Sequence, residues 1–411
     1  MFRTTKVALV AAIGTASMLA LSACSAGSPS ATDAPVSSIK FVAAEYSDNT
    51  SAYWTDVAKR FTAKTGIKVD LQVIGWSDIH QQVSTMIQTN QIPDILNLDS
   101  FSQYAADDLL YPASDIETSA LATNIPQNLA TSGSYNGTQY ALPFVGSAST
   151  LFYNTDLFAQ AGISGPPTTL DELATDAKKI SALPGKAGFA LSLSPEAPHI
   201  DYSTFMFNMG GAYMKDGKWT VDSAENVTAL QFLNKLTADG ATEVNPGNTG
   251  RVDGTWQLFQ SGTAGMVIGQ SALDERMKGN GVKYATAPFP SASGVKPTSL
   301  AIADYIMGFK KPGNQDAVKQ FLDFALAQEN YAPLISDTGL LPVTTDLQAK
   351  LAADPTAGPY ITALQSASFA PVGEPNWDKV LGEMKNSLGL AVSGKDPKDI
   401  LSQIQAVATA N

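Results

Sequence analysis

The chain contains very little cysteine, histidine or clustered positive charge. Cys24 is the single cysteine among 411 residues, so no intramolecular disulfide is possible. The only histidines, His80 and His199, exclude a histidine-rich metal site and give poor support to a Ser-His-Asp triad. The 38 acidic residues outnumber the 26 basic ones, which form no run, and the net charge is −12. This balance argues against nucleic acid or an anionic lipid surface as a partner.

Motifs of common enzyme classes are also missing from the sequence. No Gly-x-Ser-x-Gly elbow marks a nucleophile, and no glycine motif is placed to cradle a phosphate. His80 falls in a predicted helix and His199 follows a proline in a predicted loop, so we expect both side chains to be solvated. The sequence therefore predicts a protein that is not an enzyme and that uses neither a cofactor nor a metal ion.

The N-terminal segment predicts export and anchoring. Residues 7–21 form an uncharged apolar run of about 15 residues, shorter than the roughly 20 that a membrane-spanning helix needs, so residues 1–23 are predicted to be a signal peptide. The sequence LSAC that ends at Cys24 resembles a bacterial lipobox, which implies that Cys24 is lipidated. The alternative is a plain secretory signal with an incidental cysteine. Residues 24–38 are small and polar, which predicts a disordered tether.

Periodic apolar residues in the first third of the chain predict alternating strands and helices. Strand-like patterns occur at 39–45, 67–73 and 95–98, and helical spacing occurs over 54–61 and 79–87. This β-α-β-α-β order implies a parallel sheet with right-handed crossovers. Open parallel sheets bind ligands beyond the carboxyl ends of their strands. The candidate ligand-binding residues at these ends are Glu45, Ser47, Asp48, Asn49, Trp76, Asp78, Asp99 and Ser100.

Residues 140–154 contain two extended apolar runs separated by small residues. Pro143 has no N–H to donate to a sheet, and Gly146 removes the usual restriction on φ at its position. We interpret this segment as a hinge, with Pro143 and Gly146 as hinge residues, where a strand leaves one body and enters another. An ordinary edge strand with a bulge is the alternative interpretation.

Eight segments in a fixed order resemble one family of bacterial proteins. They are FTAKTGIKV at 61–69, PDI at 93–95, NGTQYALP at 136–143, YNTDLF at 153–158, AGI at 161–163, PPTTLDEL at 166–173, FQSGTAGMVI at 259–268 and TGLLPV at 338–343. Together they look like an extracellular solute-binding protein of the maltose-binding type, the sugar receptor of an ABC importer. Each segment is weak evidence alone, but the order spans nearly all of the chain beyond the signal peptide.

The resemblance implies an α/β periplasmic-binding-protein-like fold of type II. Two lobes, each a mostly parallel sheet flanked by helices, would be joined by several hinge crossings. Lobe 1 would comprise residues 39–144 and 298–338, and lobe 2 residues 145–297 and 339–411. Where family members often carry a tryptophan after a second-lobe strand, this chain has Gln270. The remaining ligand-binding residues that the resemblance implies are Gly146, Ser147, Tyr153, Trp256, Gln270, Asp304, Tyr305, Glu374 and Trp377.

The implied function is the capture of a carbohydrate between the lobes for delivery to an ABC permease. Aromatic faces suit sugar rings, and ionised carboxylates accept hydroxyl protons, so Trp76 and Asp78 form the most sugar-like pair in the sequence. We expect a monomer on the outer face of the cytoplasmic membrane, attached to it only through Cys24. A secreted carbohydrate-active hydrolase with paired carboxylates and a surface glycan-binding adhesin remain as alternatives. The identity and length of the sugar stay open.

Overall fold

The structure, a computed structural model, describes residues 35–410 except Ser77 and Ser366. The predicted signal peptide, Cys24 and most of the predicted tether lie outside the described residues. The prediction of disorder as far as residue 38 is wrong at its end. The backbone oxygen of Ser37 accepts a hydrogen bond from the backbone nitrogen of Lys68 at 3.0 Å, and the first strand begins at Ser38.

The strands and helices alternate along the chain. The strands are β1 Ser38–Ala44, β2 Lys68–Ile74, β3 Ile95–Leu98, β4 Ser134–Tyr135, β5 Thr138–Gln139, β6 Leu142–Ala148, β7 Thr150–Asn154, β8 Ala187–Ala190, β9 Met214–Lys215, β10 Lys218–Trp219, β11 Ala264–Gly269, β12 Tyr284–Ala287, β13 Leu300–Gly308, β14 Leu341–Pro342 and β15 Ser368–Phe369. The helices are α1 Thr50–Thr65, α2 Ile79–Gln88, α3 Ser102–Ala106, α4 Ala113–Ile116, α5 Ser119–Asn124, α6 Gln127–Ser132, α7 Thr155–Gln160, α8 Leu170–Ser181, α9 Pro198–Asn208, α10 Ala224–Ala238, α11 Gln257–Gln260, α12 Ser271–Met277, α13 Gln315–Leu326, α14 Gln328–Thr338, α15 Thr345–Leu351, α16 Ala357–Gln365, α17 Trp377–Ser387 and α18 Pro397–Ala408. A π-helical turn, Arg251–Trp256, leads into α11, and 3-10 turns cover Pro246–Asn248 and Leu388–Ser393.

Two larger sheets define two lobes. The first has the order β14-β6-β13-β3-β1-β2, with β15 added beside β13, and the second has the order β12-β7-β11-β8. The predicted β-α-β-α-β unit is confirmed, because β1 pairs in parallel with both β2 and β3. Both sheets are mixed, however, and the expectation of mostly parallel sheets is wrong. Strands that enter a sheet from the other lobe run against their neighbours, as β13 does beside β3 and β6.

Helix α1 illustrates how the sequence builds the first lobe. Trp54, Val57 and Phe61 recur on one face and are completely buried. Trp54 meets Phe41 of β1 edge-to-face, with ring centroids 4.6 Å apart, an arrangement that adds specific geometry to apolar burial. The helix ends at Gly66, whose φ of 79° is a left-handed conformation that glycine adopts without strain. Local periodicity therefore fixes both the helix and its buried face.

The first crossing between the lobes falls inside the predicted hinge segment, residues 140–154, but after the predicted hinge residues Pro143 and Gly146. Pro143 and Gly146 lie inside β6, which pairs with β13 from Leu142 to Ala148, so the predicted break at Pro143 does not occur. The chain leaves the first sheet at Ser149 and enters the second as β7. Gly146 is needed for packing, since a Cβ there would lie 3.3 Å from a methyl group of Leu364. Further crossings follow β12 and β15.

Residues 341–365 join the first lobe, although the sequence placed them in the second. Strand β14 pairs with β6, and side chains of α15 and α16 share one apolar cluster with Leu142 and Phe144. The shared side chains are Leu347, Tyr360, Ile361 and Leu364. The tail then returns to the second lobe, where α17 and α18 pack against its core. Among the described residues, no helix combines the length and apolar character needed to cross a membrane.

Candidate functional site

A cavity of about 460 Å³ lies between the two lobes. Its first-lobe wall is formed by α2, the loop after β3, and β13. Its second-lobe wall is formed by the first turns of α9 and by α17. The polar and aromatic side chains that line it include His80, Asp99, Ser100, Gln103 and Tyr305 from the first lobe and His199, Ser203, Trp377, Asp378 and Lys385 from the second. A molecule in this cavity would therefore touch both lobes.

The first-lobe wall lies where the carboxyl ends of the parallel strands meet. Asp99 and Ser100 directly follow β3, and α2 begins shortly after β2 ends at Ile74. Neighbouring parallel strands bring these ends to one edge of the sheet, which is the usual ligand edge of such folds. The sequence-based placement of a ligand site at this edge agrees with the position of the cavity.

Ionisable side chains from both lobes face one another across the cavity. His80 Nε2 lies 3.1 Å from Asp99 Oδ1, and this contact raises the pKa of His80. Burial raises the pKa of Asp378, and the charge of Asp99 raises it further. Lys385 makes no ion pair within 4 Å among the described residues, so its ammonium is available to a ligand. The cavity offers more carboxylates than cations.

Asp304 lies on β13 between two cavity-lining residues, Ala303 and Tyr305. Burial raises the pKa of Asp304 to about 7, and the neighbouring charge of Asp99 adds to the rise. The charge of Asp304 in turn contributes to the raised pKa of Tyr46. Strand β13 has a register irregularity between Asp304 and Tyr305.

Trp76 and Tyr46 form an aromatic pair in the loops that follow the first two strands. Trp76 is 37% exposed, which is unusual for so large an apolar side chain. Its ring stands edge-on to Tyr46, with centroids 5.7 Å apart and an interplanar angle of 72°. Trp76 therefore presents an accessible indole face, and aromatic faces of this kind suit the C–H-lined faces of sugar rings.

His199 is one of two histidines that the sequence placed in solvent. The structure places it in the cavity wall, where burial lowers the pKa of its imidazole to about 3 and keeps it neutral. Its Nδ1 atom is buried and has no hydrogen-bond partner among the described residues. His80 is half exposed but also lines the cavity. The prediction that His199 is solvated is therefore wrong, whereas His80 is exposed as predicted.

A buried ion pair lies behind the second-lobe wall. Arg251 Nη1 is 2.6 Å from Asp201 Oδ1, and the two side chains are only 4% and 1% exposed. Burial raises the pKa of Asp201 to about 6, although the positive charge of Arg251 opposes the rise. Because its guanidinium is committed to Asp201, Arg251 is not available to a phosphate or carboxylate in the cavity.

The structure brings together some of the predicted site residues. Asp99, Ser100, Tyr305 and Trp377 line the cavity, and Asp304 adjoins it. Trp76 is exposed and contacts Tyr46, and neither residue is part of the cavity lining.

Other predicted site residues lie elsewhere or are committed to other contacts. Ser47 and Asn49 both donate hydrogen bonds to Asp337, at 2.5 and 2.6 Å. Glu45, Asp48 and Asp78 are exposed outside the cavity lining, and Gly146, Ser147 and Gln270 are buried outside it. Tyr153 packs against Phe158, and Glu374 is half-buried in the loop before α17. Trp256 is 4% exposed and donates its indole N–H to the Ile268 oxygen at 3.1 Å, so its role is structural.

Sequence reasoning missed the cavity residues that lie on helices. His80 and Ser84 are four positions apart and so share one face of α2, directly after the carboxyl end of β2. Asp378 and Lys385 lie on α17, just after the predicted site residues Glu374 and Trp377. His80 could have been identified from its position in the first turn of a helix that follows a parallel strand. Within the described residues, no group of three or more metal-binding side chains is arranged to hold a metal ion.

Comparison with known proteins agrees with this geometry. Residues 45–332 match the sequence profile of a family described as bacterial extracellular solute-binding protein. A binding protein of Brucella abortus is 28% identical over 393 residues, which cover 92% of this chain and 94% of that protein. The diacetylchitobiose binding protein DasA of Streptomyces coelicolor is 27% identical over 440 residues, with 97% and 96% coverage.

A solved structure shows the same fold. The maltose-bound protein MalE3 of T. maritima superposes with a TM-score of 0.77 at 21% identity, covering 90% of this chain and 98% of that chain. At this level of identity the likeness establishes the fold alone. It confirms the predicted two-lobed architecture.

Proposed function

This chain belongs to the bacterial extracellular solute-binding protein family, and on that premise we propose that it captures a carbohydrate in the cavity between its lobes. The bound sugar would then pass to the membrane subunits of an ABC importer. The observation that carries the proposal is the cavity itself, whose walls come from both lobes and combine carboxylates with aromatic rings. Its volume of about 460 Å³ falls in the usual range of small-molecule sites.

The chemistry of the cavity favours a hydroxyl-rich ligand over an anionic one. Asp99 and Asp378 line it, and each ionised carboxylate can accept two or more hydroxyl protons in charge-assisted bonds. Phosphate recognition usually relies on arginine, but Arg251 is paired with Asp201. Of the described lining residues, only Lys385 and a protonated His80 could offset the carboxylates.

Ligand binding would favour the closed arrangement of the lobes because the ligand contacts both walls. A ligand shifts such an equilibrium only through a difference in affinity between the two arrangements. Contacts to Asp99 on one side and Trp377 on the other supply that difference. A micromolar dissociation constant corresponds to about −8 kcal/mol, within reach of a few charge-assisted hydrogen bonds and one stacked ring.

The N-terminal sequence supports the finer features of the proposal. Lipidation at Cys24 would hold the protein on the outer face of the cytoplasmic membrane, beside its permease. The described chain needs no second copy to complete the cavity, which supports a monomer. Cys24→Ser should abolish palmitate labelling and release the protein from membranes, whereas labelled, membrane-bound Cys24→Ser protein would contradict the anchor.

The names of the relatives suggest which sugars to examine first. One relative is named for diacetylchitobiose, and one structural neighbour was solved with maltose. We would screen the purified protein by thermal shift against these two sugars, other oligosaccharides, monosaccharides, polyols and glycerol phosphate. A ligand that binds only the folded protein stabilises it by about 2.7 kcal/mol at a hundredfold excess over its Kd.

Trp76→Ala tests whether the exposed indole beside the strand ends contributes to binding of the hit. We expect weaker binding by about tenfold or more, since an aromatic stack contributes about 0.5–1.5 kcal/mol beyond the burial of its area. Trp219→Ala is the matched control, because Trp219 is half-buried on the β9–β10 ribbon of the second lobe, away from the cavity. A sugar that mass spectrometry recovers unchanged supports a receptor. A sugar that is cleaved during incubation would instead support a hydrolase.

A further inference from the structure

His199 lines the cavity from the second lobe with a side chain that the protein itself leaves without a hydrogen bond. It lies in the first turn of α9, and Ser203, four positions later on the same face of that helix, also lines the cavity. The Ser203 hydroxyl shares a hydrogen bond with the Tyr213 hydroxyl and is thus partnered within the second lobe. No hydrogen bond joins the His199 imidazole to any residue that the structure describes. On this face of α9, His199 is therefore the residue with unused hydrogen-bonding capacity.

The two ring nitrogens of His199 differ in their surroundings. Nδ1 is buried and has no partner among the described residues. Nε2, which also makes no bond to a described residue, stays accessible, so it is the nitrogen that a molecule in the cavity can reach. A neutral imidazole carries one N–H and one bare nitrogen. Buried N–H groups without an acceptor are rarer in folded proteins than acceptors with unused lone pairs, which places the proton on Nε2.

The surroundings of His199 keep its imidazole uncharged. Lys385 on α17 and Arg251 in the π-helical turn oppose a second proton, whereas Asp99 on the first-lobe wall favours it. The free N–H groups at the start of α9 add positive potential at the same point. Burial has the largest effect and lowers the pKa of His199 to about 3. Around neutral pH, the Nε2–H group is therefore a hydrogen-bond donor without a charge.

We propose that His199 is a ligand-contact residue whose Nε2–H donates a hydrogen bond to an uncharged oxygen of the bound carbohydrate. The inference rests on the proposed function and adds a specificity to it. Asp99 on the first-lobe wall accepts hydroxyl protons, so the two walls require opposite hydrogen-bonding roles from the ligand. A sugar meets both requirements, because its hydroxyls donate and its hydroxyl, ring or glycosidic oxygens accept. An anionic ligand gains no ion pair from His199.

The tautomer of His199 can be measured without a ligand. Long-range nitrogen–proton NMR of isotope-labelled protein reports which ring nitrogen carries the proton, and because the chain has only two histidines, His80→Gln assigns the signals of both. We expect His199 to stay in the neutral Nε2–H form from pH 5 to pH 8. His80 should gain a proton as the pH falls, since its hydrogen bond with Asp99 raises its pKa. A proton on Nδ1 of His199, or an imidazolium at pH 5, would overturn the proposal.

Three substitutions separate the donor of His199 from the shape of its ring. His199→Gln places an amide N–H near the position of Nε2, whereas His199→Phe keeps a flat ring without a donor. His199→Asn is the matched control, because its shorter amide reaches only the position of Nδ1. For the sugar identified by the thermal-shift screen, we expect about tenfold weaker binding by His199→Phe and His199→Asn, and binding by His199→Gln within about threefold of the wild type. Equal losses in all three variants would contradict a donor role.

Analogues of that sugar show whether His199 touches the ligand or only supports the wall. In each analogue, a single oxygen atom is replaced by hydrogen or sulfur. One analogue should bind the wild type about tenfold more weakly than the parent sugar does, and yet bind His199→Phe as tightly as the parent, because the shared hydrogen bond can be lost only once. Parallel losses in the wild type and the variant for every analogue would indicate a merely structural role and refute the contact.

Failure of the proposed function and failure of this inference give different results. If no carbohydrate on the panel binds the wild type, the proposed function is wrong and the assignment of a sugar oxygen to His199 falls with it, although the NMR measurement still decides whether the cavity presents an uncharged donor there. If a carbohydrate binds the wild type and His199→Phe equally tightly, the proposed function stands and the role of His199 is refuted.

Discussion

Replacing Arg251 with methionine removes the positive member of the buried ion pair behind the cavity. In the wild type, Asp201 Oδ1 faces Arg251 at 2.6 Å and Asp201 Oδ2 accepts a hydrogen bond from the Ser192 nitrogen at 2.8 Å. In Arg251→Met, the carboxylate keeps only the second of these contacts while it remains buried. Breaking a buried pair by removing one partner costs about 3–5 kcal/mol. For a lobe of this size, that loss lowers the melting temperature by roughly 6–20 °C.

The destabilisation should also depend on pH in a defined direction. Asp201 has a pKa of about 6 in the native protein, which is above its unfolded value. A carboxyl group with a raised native pKa contributes most to stability at low pH, and that contribution is lost as pH rises through the native pKa. Without Arg251 this pKa rises further, so the variant can protonate Asp201 at pH 5 but must bury its charge at pH 8. The loss should therefore be larger at pH 8 than at pH 5.

Chemical and thermal denaturation of Arg251→Met at the two pH values measures this effect. Arg276→Met is the matched control, because Arg276 also lies over the Trp256 ring, at 6.0 Å, but is exposed and faces no buried carboxylate. We expect the control to change stability by about 1 kcal/mol or less. An Arg251→Met variant as stable as the control, or a loss that does not depend on pH, would refute the reasoning.

Two further predictions concern packing within and between the lobes. Asp274 on α12 accepts hydrogen bonds from Tyr360 of the first lobe at 2.6 Å and from Tyr284 of the second lobe at 2.7 Å. Tyr360→Phe should therefore lower the free energy of unfolding, measured by urea denaturation, by about 1.5–3 kcal/mol. A loss below about 0.5 kcal/mol would mean that water replaces the phenol. A Cβ at Gly188 on β8 would lie 1.9 Å from the Ala177 oxygen, so Gly188→Ala should destabilise the second lobe by about 3 kcal/mol or more. Gly165→Ala is the control and should be nearly neutral, because nothing lies within 4 Å of a Cβ at that position. Equal melting temperatures of the two variants would contradict the close approach at Gly188.

Local patterns predicted the local structure of the chain well. Alternation in β2 and the spacing of Trp54, Val57 and Phe61 reflect which side of each element faces a core, and this is decided by neighbours in the sequence. The capping box of α8 is another local feature, in which the Thr169 hydroxyl accepts a hydrogen bond from the Glu172 nitrogen at 3.2 Å. Both features depend only on contacts within a few residues.

Features that depend on distant contacts were harder to predict. The two-residue strand β14 carries no signal of its partner, and its pairing with β6 moves residues 341–365 into the first lobe. Asp378 and Lys385 reach the cavity because the chain returns to the second lobe after β15. Tyr46 was passed over between Glu45 and Ser47 because its hydroxyl is bonded by Asn97, which lies far away in sequence.

A crystal structure of the protein with the carbohydrate that gives the saturable thermal shift is the most direct test. The account predicts the sugar in the cavity between the lobes, with hydroxyls bonded to Asp99 or Asp304 and a second-lobe contact to Trp377 or Asp378. A sugar bound to one lobe alone, such as in the open depression near Val244 on the second lobe, would contradict it.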